Sequence, residues 1–364
     1  MLNRTSRGPR RLLAIAVTAV AATALALTGC SSPGGGGGSD DAIGVALIVK
    51  TTSNPFFVAM QNGAKAAAEK EGVKLTLAAG KEDGDEDTQI KAIEDAVARG
   101  DQGILITPNG PGVLDAISKA RDAGLYVIAL DTAPDPADAV DITFATDNFL
   151  AGQLIGEWTA GQLDGGKATI ALLDLFDDKI VSVDYNRDQG FLTGLGIDTK
   201  DAQKNGDEDR TGSYTGGAGG EYEIVGNEAT NGAEDGGLSA METLLAKNPD
   251  INVVYTINEP AAYGAYQALQ AAGKTDVLLV SVDGGCAGVG YVKDGIIGAT
   301  SQQYPVKMAE LGVQAIAKLA KDGTKPEVTD GLDFFNTGVA LVTDKPVDGV
   351  ESIDTAKASS ICWG

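Results

Sequence analysis

The groups in this chain that can do chemistry are carboxylates, amides, hydroxyls and a few guanidiniums, because histidine is absent. Without it there is no Ser-His-Asp triad, no Cys-His pair and no His-ligated zinc site, and the commonest general base at neutral pH is missing. The remaining polar groups fall in a pattern. Asn54, Thr107, Asn109, Asp131, Thr132, Asp174, Asn258, Glu259, Asp283 and Gln303 each stand just after a short apolar run. In open α/β sheets a ligand sits beyond the carboxyl ends of the strands, so the recurrence predicts a polar cleft. At any single position a helix cap or a turn explains the residue equally well. A second pattern is Asp83, Asp85 and Asp87, with Glu94 at the twelfth position, which mimics a calcium loop. Thr88 stands at the sixth position, where the turn needs glycine, so an acidic loop whose Asp87 or Thr88 caps the next helix is expected instead, and no metal or cofactor is expected. Gly216 to Gly220 belong to a low-complexity stretch and not to a phosphate loop.

The elements that must position these groups alternate. Apolar, β-branched runs at 43–49, 73–78, 103–107, 126–131 and 142–145 are separated by helical patterns at 57–71, 88–99 and 112–123. A second series follows. It has strands at 168–174, 222–226, 252–257, 277–282 and 296–300, and helices at 150–163, 181–196, 233–247, 261–272 and 305–321. Short strands at 332–335 and 339–342 close the chain, and the acidic, Gly-rich stretch 199–220 reads as a surface loop. This rhythm predicts two α/β halves, each a parallel sheet with helices on both faces. The length, 364 residues, suits two such halves better than one core.

Charge and address narrow the function classes. A formal net charge of −23 repels phosphate backbones, so no nucleic-acid partner is expected. Arg4, Arg7, Arg10 and Arg11 precede an uncharged apolar stretch, 12–27, which ends in Leu27-Thr28-Gly29-Cys30. The stretch is long for the core of a signal peptide and slightly short for a membrane span. Small residues before Cys30 and the tether Ser31 to Ser39 behind it favour a lipoprotein signal peptide, 1–29, cleaved before a lipidated Cys30, over an uncleaved anchor helix. Residues 30–40 then form a flexible tether. Of three cysteines, Cys286 and Cys362 remain, and outside the cytosol a disulfide between them is expected in preference to two free thiols.

Read in order, the motifs resemble a known family. Thr52-Ser53-Asn54-Pro55-Phe56-Phe57, Val127 to Thr132, Ala145-Thr146-Asp147-Asn148, Asn186 to Phe191, Ile257-Asn258-Glu259, Val282-Asp283-Gly284 and Gln302-Gln303-Tyr304-Pro305 look like the signatures of the type I periplasmic sugar-binding proteins of ABC importers. The resemblance covers about 42–345. Asp283-Gly284-Gly285-Cys286 and the terminal Cys362-Trp363-Gly364 look most like the fructose-binding branch.

The resemblance implies the type I periplasmic-binding-protein fold: two doubly wound parallel-sheet lobes joined by three crossovers at a hinge. It implies an N-terminal lobe of 42–146 plus 304–336 and a C-terminal lobe of 147–303 plus 337–364. Asn54, Phe56, Phe57, Thr107, Asn109, Asp131 and Thr132 would face the ligand from the first lobe, Arg187, Asn258 and Asp283 from the second, and Gln303 from the hinge. Phe56 or Phe57 would supply an aromatic wall for a small sugar, the carboxylates would accept from its hydroxyls, and Arg187 would donate through its fork. Lys50 departs from the ribose-type pattern and either reaches the ligand or snorkels to solvent. Asn231, Gly232 and Ala233 stand where a relative has an aromatic, which favours a hexose such as fructose. The implied protein is no enzyme. It is a monomeric, exported, lipid-anchored receptor that closes on a monosaccharide and docks on an ABC permease and its ATPase. A receptor module for a membrane kinase, and a carboxylate-based glycoside-acting enzyme using Asp131 and Asp283, are the alternatives.

Overall fold

The computed structural model of the protein describes residues 42–364. The expected signal peptide, Cys30 and the tether lie outside the described residues. Two sheets organise the chain. The first contains β1 (Gly44–Val49), β2 (Lys74–Ala79), β3 (Gly103–Ile106), β4 (Tyr126–Leu130) and β5 (Ile142–Ala145). The second contains β6 (Ala168–Asp174), β7 (Thr211–Tyr214), β8 (Gly220–Ala229), β9 (Val253–Thr256), β10 (Leu278–Asp283) and β11 (Ala299–Gln302). Then β12 (Phe335–Asn336) returns to the first sheet and β13 (Ala340–Val342) to the second, so the chain passes between the sheets three times.

Every pairing in the first sheet is parallel, in the order β2-β1-β3-β4-β5-β12. A parallel sheet must be covered on both faces, and the strands read accordingly. Val45, Leu47 and Val49 of β1 join one core with α1 (Pro55–Glu71) and α9 (Pro305–Asp322), while Ala46 and Ile48 face α2 (Glu86–Arg99) and α3 (Leu114–Asp122). The second sheet is parallel from β8 through β6, β9 and β10 to β11, with β7 and β13 antiparallel at its edges. Its faces are covered by α4 (Asn148–Leu163) with α5 (Ser182–Leu195), and by α6 (Glu234–Lys247) with α7 (Glu259–Ala271).

The differences from the sequence reading have local causes. The stretch 199–220 contains β7, which pairs along β8 from Thr211↔Glu223 to Tyr214↔Gly220. The run 296–300 yields a strand only from Ala299, where pairing with Val280 begins, because Ile297 turns into the core beside α7. An unforeseen helix, α8 (Cys286–Lys293), carries two glycines but buries Val289 and Val292, so packing overrides its poor propensity. A last turn, α10 (Thr355–Ala358), is capped by Asp354. Cys286 and Cys362 are joined in a disulfide with Cα atoms 5.0 Å apart, which ties the start of α8 to the end of the chain. No helix among the described residues is long and apolar enough to cross a membrane.

Candidate functional site

The carboxyl ends of the two sheets meet around one hydrogen-bonded chain. Arg187, projecting from α5, is 3% exposed. Its Nη2 donates to Asp131 Oδ1 at 3.5 Å and to Gln303 Oε1 at 3.4 Å, its Nη1 to the carbonyl of Ile257 at 3.0 Å, and its Nε to Asn148 Oδ1 at 2.8 Å. Gln303 continues the chain, its Nε2 donating to Asp283 Oδ1 at 2.8 Å. Thr132 Oγ1 donates to Asp131 Oδ2 at 2.9 Å. A fixed guanidinium fork thus joins the ends of β4 and β9 to the residue that follows β11. Asp131 and Asp283 adopt φ of 64° and 144°, a region that non-glycine residues enter at a cost of about 1–3 kcal/mol and that clusters at functional sites.

The electrostatics follow from burial. Desolvation pushes the Asp283 carboxyl up to about 7, with Arg187 and the Gln303 amide pulling the other way. Glu259 is raised well above the usual carboxylate range, first by burial and then by Asp283. It is spent on structure, accepting from Gly284 N at 2.8 Å, Gly285 N at 3.2 Å and Thr300 Oγ1 at 2.9 Å, which fixes the turn after β10.

Beside this chain opens a cavity of about 970 Å³. Of the residues expected to bind ligand, Asn54 and Asp283 line it. Asp131, Arg187 and Gln303 do not line it and are connected to it through Asp283, the end of the hydrogen-bonded chain just described. Thr132 instead lines a separate cavity of about 510 Å³ with Ala133 and Ser182. Phe56 and Phe57 do not line the large cavity in this conformation. Their rings pack edge-on, 5.2 Å apart, within the apolar core of the first sheet. The aromatic surfaces on the cavity come from Tyr263, Tyr291 and Trp363. Trp363 stands edge-on to Phe56 at 5.4 Å and donates from Nε1 to the carbonyl of Gln303 at 2.8 Å.

Several expected contacts are taken up by the protein itself. Asn109 accepts from Gly84 N at 3.0 Å and donates to the carbonyl of Asp85 at 3.1 Å, so its amide pins the 80s loop and is not free for a ligand. Asn54 and Asn258 cap α1 and α7, accepting from Phe56 N and Ala261 N, and Asn258 Nδ2 donates to the carbonyl of Gly232. Thr107 is fully buried and its hydroxyl has no partner. The cap of α2 is Asp85, accepting from Thr88 N at 3.1 Å, and neither Asp87 nor Thr88.

Two residues that the sequence reading did not count as ligand-binding belong here. Lys50, 2% exposed, does not snorkel to solvent, and its charge acts on Asp83 and Asp184. Asp83 lines the cavity opposite Asn231 and Gly232, and burial raises it to about 6 against the pull of Lys50. The signal in the sequence was the lysine itself, a cation at a strand end where a small residue was expected. The two halves also touch through Lys179 Nζ on the carbonyl of Gly84, 3.1 Å, and Ser182 Oγ on the carbonyl of Ala133, 2.6 Å. Among the described residues no three His, Cys, Asp or Glu side chains stand ready as a metal site.

The model of the periplasmic binding protein domain matches residues 45–325. The chain belongs to that family. The ribose import binding protein RbsB of Escherichia coli K12 is 30% identical over 291 residues, 80% of this chain and 88% of that protein. The galactofuranose-binding protein YtfQ of the same organism is 30% identical over 275 residues, 73% and 78% of the two chains. Among solved structures, an ABC transporter solute-binding protein from Agrobacterium vitis with bound D-fucose superposes with a TM-score of 0.70 at 26% identity, covering 88% of this chain and all of that one, 100%. These relatives are sugar-binding proteins of transport systems, and the type I fold of two parallel-sheet halves is theirs and this chain's alike.

Proposed function

We propose that this protein captures a monosaccharide between its two sheets and presents it, in the closed state, to an ABC permease and its ATPase. The observation that carries the reading is the continuous chain Asp131–Arg187–Gln303–Asp283, which draws on both halves and the connection between them. A solute bound to such a chain contacts both halves at once and so favours closure over opening. The lobes would be 42–146 with 304–336 and 147–303 with 337–364, moving about the three passages between the sheets. Asp131, Asp283, Arg187 and Gln303 would bond the hydroxyls, with Asn54, Asn258, Thr107, Lys50 and Asp83 around them. Trp363, which lines the cavity and packs edge-on against Phe56, would take the role of the apolar wall expected of Phe56 and Phe57.

The sugar we put first is fructose, on the resemblance at 283–286 and 362–364, and a roomy polar flank at Asn231 and Gly232 supports a hexose. Asp131 and Asp283 are tied to neighbours on both oxygens, which favours binding over acid–base work on a glycoside. A diacylglyceryl group on Cys30 would hold a monomer at the outer face of the membrane, free to dock on the permease. The test is titration calorimetry of the full chain against fructose, ribose, galactose, fucose and allose, with a search for turnover of aryl glycosides. One sugar bound per chain without turnover, lost in Arg187→Lys, is the expected result. Binding of a different class of solute, with every monosaccharide silent, overturns the sugar assignment and leaves the fold standing.

A further inference from the structure

The large cavity between the two halves carries charge of one sign. Asp283 and Glu259 lie buried at its inner end, Asp83 forms part of its wall, and Glu82, Glu234 and Asp235 stand on its exposed rim. No Lys or Arg lines it. None of the ion pairs among the described residues uses any of these acids. Tyr263 and Tyr291, stacked with ring centroids 5.0 Å apart, and Trp363 supply its aromatic surface. The acids act on that surface, since the Tyr291 hydroxyl is pushed up by burial and then by Tyr263, Glu234 and Glu259.

One of these acids lacks a partner. Asp83 Oδ1 is sealed from solvent and has no hydrogen-bond donor. Its Oδ2 faces the turn at Gly232, φ 64°, where a Cβ would come within 2.7 Å of that oxygen and 3.0 Å of Asn258 Nδ2. Glycine thus keeps open the gap between Asp83 of the first half and Asn258 of the second. Lys50 and Asp131 are the charged groups that act on Asp83. Lys50 pulls its carboxyl down, but it forms no ion pair with Asp83 and does not line the cavity. Burial wins, and the carboxyl is raised to about 6, so at neutral pH it is an anion without a close cation. Buried polar groups otherwise find partners.

We propose that the ligand of this cavity is an amino sugar, a monosaccharide with a protonated amine that Asp83 receives. The inference rests on the reading of the protein as a monosaccharide receptor and names the class of its ligand. An ammonium carries three donors and no acceptor, so it can satisfy Asp83 Oδ1 where a side chain of the protein does not. A hydrogen bond between two charged groups is about twice as strong as a neutral one, and aromatic walls attract a cation further. Acids on the rim steer a cation inward. A neutral hexose can use Asp283 and the chain behind it but leaves the charge of Asp83 uncompensated. An anionic sugar meets Glu82, Glu234 and Asp235 on its way in and no cation on the lining.

The test is titration calorimetry of the full chain at pH 7. Fructose, glucose and galactose are compared with 1-amino-1-deoxyfructose, glucosamine and galactosamine, with the N-acetyl forms of the last two, and with choline as an ammonium that is no sugar. Expected is one amino sugar bound about 10- to 100-fold tighter than its neutral parent, and for a hexosamine than its N-acetyl form as well. That margin should shrink as salt rises. It should disappear in Asp83→Asn, which keeps the shape and removes the charge. The margin is a ratio within one protein, so a general loss of affinity does not imitate it. Glu234→Gln with Asp235→Asn, on the exposed rim and clear of the core, should reduce it by a few-fold. A neutral sugar bound as tightly as its amine overturns the inference and leaves the monosaccharide reading standing. A margin that persists in Asp83→Asn overturns it as well. Silence of every sugar, whether or not choline binds, overturns the monosaccharide reading and this inference with it.

Discussion

The molecule holds two groups of buried carboxylates, one beside Arg187 and one beside Asp188 of α5, and they are built on opposite principles. On one side of the helix Asp131 and Asp283 are each engaged on both oxygens, by Arg187 and Thr132 and by Gln303 and the amide of Glu259. On the other side Asp174 and Asp188 face each other without a cation, each held on one oxygen by an amide, Asn227 Nδ2 on Asp174 and Gln189 Nε2 on Asp188. Arg187 and Asp188 are neighbours in sequence, so the same turn of helix directs its cation to the cleft and its anion away from it. The first group is ordered before a ligand arrives, which keeps the cost of closing on a small solute low. The second holds no cation, and burial raises both of its carboxyls above the usual range. A charge-paired group and a group held without a cation respond differently to the same perturbations.

The largest effect should come from removing the cation of the first group. Arg187→Ala leaves Asp131 buried at 3% exposure without its charge partner, and losses from breaking a buried pair run to about 3–5 kcal/mol. The variant should melt many degrees lower and bind no sugar, whereas Asp188→Asn, one residue on, should do neither. Equal effects of the two variants, read by thermal melting and calorimetry, would erase the contrast between the two faces of α5.

Next in size is the disulfide. It closes a loop spanning 76 residues, for which a chain-entropy treatment gives about 4 kcal/mol. The tail it holds also carries Trp363, whose carbonyl accepts from Cys286 N at 2.8 Å and whose indole bonds Gln303. Reduction, or Cys286→Ser with Cys362→Ser, should therefore lower Tm and weaken sugar binding together. A fall in Tm with unchanged affinity would detach Trp363 from the ligand wall.

The pH dependence follows from the raised carboxyls. Asp83 at about 6, Asp283 at about 7 and Asp174 at about 8 hold protons more tightly in the folded state than the ordinary aspartate value of 3.8 allows in the unfolded chain. Their contribution to stability is therefore fully present below about pH 4 and is lost as pH rises through 6 to 8. Tm should fall over that window by the equivalent of a few kcal/mol. Melting curves from pH 5 to 8.5 measure the slope. A Tm that stays level from pH 5 to 8 would show that these carboxyls do not hold their protons in the folded state.

The sequence was most informative where one element's period determines everything. The alternation Val45, Ala46, Leu47, Ile48, Val49 announces a strand covered on both faces, and Asn54-Pro55 announces the start of α1. Strand-end polar residues led to Asp131, Asp283 and Gln303, which do meet in one hydrogen-bonded chain, while Arg187, inside α5, was reached only through the resemblance. The same rule could not tell a cap from a ligand contact, and Asn109 was spent on the 80s loop for that reason. The second acidic group stayed hidden because its parts look ordinary in isolation. The stretch Asp201 to Arg210 has the composition of a solvated loop, and only the tertiary structure brings the charge of Glu208 to bear on Asp188. Trp363 was invisible as a wall for the same cause, since only the disulfide and the fold bring the end of the chain to Phe56.

The smallest effect is the sharpest probe of the boundary between the two designs. Thr107, at the end of β3 in the first half, carries an orphaned hydroxyl of its own, fully buried and without a partner. With Asp83 Oδ1 and Gln302 Oε1 it is one of the few acceptors there that a ligand could be asked to satisfy. Thr107→Val keeps the shape and removes the orphan, so the free protein should melt slightly higher, by the equivalent of about 1 kcal/mol. Sugar affinity should fall by a few-fold up to about tenfold, since a lost neutral hydrogen bond is worth about that much. Higher Tm with lower affinity would identify Thr107 as a ligand contact. Higher Tm with unchanged affinity would make its hydroxyl a packing defect and confine ligand recognition to the chain that starts at Arg187.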